Sequence, residues 1–111
     1  MPVIFEPIPT TWEDAVFRIC SNLNEEEKEN LKEHGYAVFH HGLGTAIRNN
    51  WGLWNEDSDL HKSFKEGLGL FHADDMSGII LRAAEATARG EPNNPKGWAE
   101  EYKNYWKEQD K

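Results

Sequence analysis

A chain of 111 residues supplies one ordinary domain and leaves no room for two. Its 20 acids against 12 bases set a net charge of -8, which argues against nucleic acid and anionic membranes, since both call for clustered Lys and Arg. No apolar run approaches the roughly 18 residues that span a bilayer, and the start MPVIFEPIPTTWEDA lacks the basic and apolar regions of a signal peptide. A cytoplasmic location is the expectation.

Hydrophobic residues make up 38%, but five Trp, five Phe and three Tyr each bury a large area, so one real core is within reach. Residues 2–10, broken by Pro2, Pro7 and Pro9, read as an extended arm, with Val3-Ile4-Phe5 as a possible edge strand. Thr11 ahead of Asp14 is an N-cap signature, and Trp12, Val16, Ile19, Cys20 and Leu23 recur at helical spacing over 12–23. Cys20 therefore reads as a buried, inert thiol. Asn24 with Glu27 repeats the capping pattern for a charged helix over 25–34, anchored by Leu31 and closed by Gly35.

Residues 35–52 hold no acid and one base, Arg48. Tyr36, Phe39 or His40, Leu43, Ile47 and Trp51 lie three or four apart, which predicts one central helix ending near Asn50 and Gly52. Gly42 and Gly44 weaken such a helix by about 1 kcal/mol each, a cost that makes sense where another element crosses closely. After a polar loop at 55–59, Ser58 or Asp59 caps a short helix through Leu60, Phe64 and Leu68, ended by Gly67 and Gly69. Met76, Ile79, Ile80, Ala83, Ala84 and Thr87 mark a strong amphipathic helix with Asp74 or Asp75 as its cap and Gly90 as its stop. A turn at 91–95 leads to an aromatic stripe of Trp98, Tyr102, Tyr105 and Trp106 that packs on the outside.

The sum is an all-α fold: a compact bundle of four or five short helices with a proline-rich arm and a helical C-terminal tail. Residues 1–111 form a single domain, divided into arm (1–10), core (11–90), and turn with final helix (91–111).

Chemistry concentrates around HHGLGTAIRNNWGLW. Arg48, Asn49 and Asn50 offer directed donors and acceptors suited to a carboxylate, phosphate, base or exposed backbone. Alternatively Arg48 pairs with Asp74 or Asp75 of its own chain, while Asn49 and Asn50 finish the helix. Trp51 continues the apolar stripe into the core, whereas Gly52 releases the backbone before Trp54, which becomes either a pocket wall or a lid on the core. His40, His41, His61 and His72 supply nitrogen ligands, yet adjacent histidines on a helix diverge and no HExxH or EF-hand spacing is present, so no metal and no cofactor are expected. His72 is read as bonding to the Asp74–Asp75 cap. No serine or cysteine has a nucleophile's context, so no catalytic residue is assigned.

The segments FHHGLGTAIRNNWGLW and HADDMSGIIL, with Leu60 between them, resemble a family of small bacterial and phage-associated domains of unknown function, over about residues 9–88. Ala73 stands where that pattern often has proline. The resemblance singles out His41, Gly44, Arg48, Asn49, Trp51, Gly52, Trp54, His72, Asp75 and Ser77, implies that the two segments meet, and supplies no reaction. The binding candidates are Arg48, Asn49, Asn50, Trp54, His41, His72, Asp74 and Asp75. They suit a non-catalytic module for a protein partner or small polar ligand. An enzyme working through His72, Asp74 and His41, or a purely structural set, are the alternatives.

Overall fold

The computed structural model of the chain describes residues 7–109. Val3-Ile4-Phe5 lies outside the described residues. The described part of the arm is held by Arg18, whose Nη1 donates to the Pro7 carbonyl at 2.7 Å.

Six α-helices follow in order: α1 (Trp12–Ser21), α2 (Glu25–His34), α3 (Thr45–Asn50), α4 (Asp59–Leu68), α5 (Ala73–Arg89) and α6 (Pro95–Gln109). No strand occurs among the described residues, so the fold is all-α. The Cα radius of gyration, 13.3 Å, is close to the roughly 13 Å of a folded chain this long. Helix starts obey local chemistry. Thr11 accepts from the Asp14 amide, Asn24 and Glu27 close a reciprocal capping box, and Ser58 accepts from the His61 amide. Helix ends use glycine in the left-handed region at Gly69 and Gly90, where φ is 72° and 70°.

Helix α5 is the axis of the bundle and contacts every other helix. Six consecutive residues, Met76 to Leu81, are buried, because neighbours cover this helix on nearly all sides rather than along one stripe. Ile80 is among them. Thr87, placed on the inner face by its spacing, is exposed instead. Leu31 of α2, Ile19 of α1, Ile47 and Trp51 at α3, and Phe64 of α4 complete the core.

Three expectations are corrected. The central helix over 36–51 is three windings in series: a 3-10 turn at Tyr36–Phe39, a π turn at His40–Gly44, and then α3. Gly35, at φ 81°, restarts the chain, and the Tyr36 amide donates to Glu85 Oε1 at 3.1 Å. Next, Gly67 lies inside α4 rather than ending it. A side chain there would collide with the Trp12 indole, so its absence lets α1 and α4 approach. Finally, α5 begins two residues earlier than an Asp74 cap would place it and three earlier than an Asp75 cap would. His72 occupies the cap with an extended backbone and no side-chain capping bond. Ala73 then holds the first helical position, where proline is also favoured.

Candidate functional site

Helix α3 is short, and its inward residues are Ile47 and Arg48. Arg48 is only 5% exposed, so each of its donors needs a partner. Nη1 donates to Ser77 Oγ at 2.7 Å. Nη2 donates to Thr45 Oγ1 at 2.9 Å and to the His40 carbonyl at 3.2 Å. Nε makes no hydrogen bond of good geometry and lies 3.4 Å from Asp74 Oδ1 as an ion pair. Ser77 Oγ in turn donates a hydrogen bond to the Asp74 carbonyl at 3.1 Å. The arginine thus ties the π turn and α3 to the first turn of α5. Gly44 makes the seat possible, because a methyl group there would stand 3.0 Å from Arg48 Nη1 and 3.3 Å from Leu81 Cδ1.

Trp51 and Trp54 separate as their positions demand. Trp51 is 1% exposed and Trp54 is 60% exposed. The Trp54 ring lies over the guanidinium, 5.9 Å from Arg48 Cζ to the ring centroid, near the outer limit of a cation–π contact. Its indole N–H donates to Asn49 Oδ1 at 3.1 Å. An outward-facing aromatic is therefore held at both its face and its edge. Beside it opens a shallow cleft of about 180 Å³ lined by Leu53, Trp54, Glu56, His61, Phe71, His72 and Ala73. Phe71, like Trp54, is a large exposed hydrophobic side chain. His61 is buried, with Nδ1 2.8 Å from the Leu53 carbonyl, and so steadies the cleft floor.

Of the other candidates only His72 also lines this cleft. His72 does not bond to the Asp74–Asp75 pair; its ring stacks on Trp106 of α6, centroids 4.6 Å apart and planes 14° apart. Asp75 Oδ2 accepts the Trp106 indole N–H at 2.8 Å. Burial pushes the Asp75 carboxyl above its ordinary value, opposed by that hydrogen bond and by His72. Asn50 is exposed and back-bonds to the Ala46 carbonyl at 2.8 Å. His41 is exposed and packs edge-on against His40, with no hydrogen bond or ring contact to Arg48 or Asp74. The eight residues therefore divide into an Arg48–Asp74–Asn49–Trp54 cluster, a His72–Asp75 pair claimed by α6, and two separate side chains.

Two participants carry no signal for these roles in the residue pattern. Ser77 was singled out by resemblance only, although a serine four residues past an aspartate-rich helix start is a ready partner for a buried guanidinium. The spacing of Trp106 marks it only as part of an outer aromatic stripe. A wider cleft of about 620 Å³ lies between the start of α1 and α4, lined by residues such as Thr11, Trp12, Lys62 and Glu66, and no candidate residue faces it.

Ser77 is fully buried and committed to Arg48. Cys20 is half-buried rather than fully enclosed, and burial raises its thiol above the ordinary value despite a bond with Thr87. Among the described residues no three His, Cys, Asp or Glu side chains converge in a way that would hold a metal ion. Nor is any helix among them long and apolar enough to cross a membrane.

Comparison with known families matches residues 8–87 to the family described as a domain of unknown function (DUF6794), and the chain belongs to that family. Neither the curated proteins nor the solved structures contain a match to it. The matched segment includes the whole Arg48 cluster and ends inside α5, short of α6.

Proposed function

We propose that this domain is a non-catalytic recognition module that binds a protein partner through Trp54 and the cleft beside it. The observation that carries the reading is the exposure of Trp54 in a fixed pose, over Arg48 and bonded to Asn49. A folded chain gains little by holding a large aromatic ring in water. A binding surface gains more, because a side chain already ordered loses less entropy on contact. Tryptophan is also the residue type most often found at the energetic centre of an interface.

The surroundings favour a basic, partly apolar partner. Phe71 extends the apolar wall, and the exposed acids Glu56, Asp57 and Asp59 lie in or just after the loop that follows Trp54. With a net charge of -8, the chain attracts cationic proteins over long range at low salt. Arg48 serves this site indirectly. Its donors are turned inward, so it positions Trp54 and offers no free fork to a ligand.

The test is capture from an extract of the source cell, with the wild-type chain and Trp54→Ala as paired baits. The proposal expects a partner retained by the first and lost by the second, with weaker retention as salt rises. A set of captured proteins identical for both baits would refute it.

A further inference from the structure

We infer that the face of α5 beneath α6 is a helix-docking groove, that α6 is its intramolecular occupant, and that a partner helix with the same aromatic pattern takes its place. His72, Asp75, Gly78 and Arg82 follow one another at intervals of three or four residues, so they line one face running up from the start of α5. Each makes a distinct demand. His72 presents a flat ring, met by Trp106 stacked at 4.6 Å. Asp75 presents an acceptor, met by the Trp106 N–H at 2.8 Å. Gly78 leaves a hollow, and the Tyr102 hydroxyl occupies the space a side chain would fill. Arg82 presents a cation, met by the rings of Trp98 and Tyr102 at 5.3 and 5.6 Å and by Glu101 Oε2 at 3.1 Å.

These demands specify an amphipathic helix with aromatic residues at i, i+4 and i+8, the spacing of Trp98, Tyr102 and Trp106, and an acid just before the middle one. Three observations mark α6 as a replaceable occupant. The groove residues all lie within the family match over 8–87, whereas α6 lies beyond it. Only Ala99 of α6 is fully buried, and the Arg82–Glu101 pair has its acid largely in solvent, where such pairs hold weakly. The connection through residues 90–94 is exposed throughout, and a cleft of about 360 Å³ stays open between Tyr36, Arg82 and Tyr105, so the occupant fills its groove incompletely. This groove and the Trp54 cleft adjoin at His72 and at Phe71, which lines the cleft and lies 6.2 Å from the Trp106 ring, whereas Trp54 itself lines only the cleft, so Trp54→Ala tests the cleft without altering the groove.

The experiment adds a labelled peptide of residues 95–109 to the full-length chain and to its Trp106→Ala variant, whose own α6 is loosened. The variant should bind the peptide at least about tenfold more tightly than wild type does, and a peptide with Trp106 replaced by alanine should fail on both. A cooperatively folded variant that ignores the wild-type peptide would overturn the proposal. So would equal binding of the two peptides. If the variant loses its fold, hydrogen exchange on the wild-type chain decides. Amides of α6 should exchange through an opening that leaves α5 protected, and exchange of both helices only by a shared global opening would refute the idea. A wild-type chain found as a dimer with α6 exchanged would overturn the foreign helix and give the groove to a second copy.

Discussion

Arg48 Nε and Asp74 Oδ1 stand 3.4 Å apart, joining a buried cation to a carboxylate that is half in solvent. The two ends of this pair are unequal. Removing Asp74 strands a guanidinium in the interior, whereas removing Arg48 leaves a carboxylate that water can still reach. Asp74→Ala is expected to cost about 2–3 kcal/mol, somewhat below the cost of breaking a fully enclosed pair. Arg48→Met, which fills the seat without a charge, should cost less. Urea midpoints of the two variants check the order, and a larger loss for Arg48→Met would show that the hydrogen bonds to Ser77, Thr45 and His40 outweigh the charge.

The two glycines of the π turn should respond in opposite ways. A methyl group at Gly44 presses on Arg48, Leu81 and the Phe39 carbonyl, so Gly44→Ala should lose about 1–3 kcal/mol. At Gly42 a methyl group meets nothing within 4 Å, and Gly42→Ala should gain up to about 1 kcal/mol by restricting the unfolded chain. Thermal melts of both variants test this. Equal losses would mean that the winding of the turn, rather than the space at each residue, controls the outcome.

These paired positions show what could be read from the residues. Capping at Thr11, Asn24, Ser58 and Gly90 was legible, because each cap depends on residues within a few positions, a side-chain acceptor at the first three and a left-handed backbone at Gly90. The contrast between Trp51 and Trp54 was legible for the same reason, with Gly52 between them in the left-handed region. The π turn was hidden, since spacings of three and four residues do not distinguish α from slightly wider or tighter windings. That Arg48 would pair with Asp74 or Asp75 was readable, as a lone arginine in an acid-free segment needs a counter-charge, but which of the two it takes depends on Trp106 claiming Asp75. What Trp106 and Arg82 do was not, because it depends on where α6 returns, and no local signal sets that path.

Cys20 gives a prediction about reactivity. Burial raises its thiol above the ordinary 9.0, so the folded chain holds the proton more tightly than the unfolded chain does. The associated stability is complete below that ordinary value and is lost as pH climbs through the raised native one. Alkylation at pH 8 should therefore be much slower on the native protein than in urea. Equal rates would indicate a thiol in contact with solvent.

Trp51 and Trp54 should differ sharply on truncation. Trp51→Ala empties a fully buried site and is expected to cost about 3–5 kcal/mol. Trp54→Ala loses one exposed hydrogen bond and a distant cation contact, and should cost less than about 1 kcal/mol. Denaturant titrations compare them directly, and a loss of several kcal/mol for Trp54→Ala would return that residue to a structural role.

The most direct test of the recognition proposal is a calorimetric titration of the captured partner into wild-type and Trp54→Ala chains with matching helical spectra. A residue at the centre of an interface contributes about 2 kcal/mol or more, so the account predicts an affinity loss of at least about tenfold for the variant. Equal affinities for two equally folded chains would contradict it.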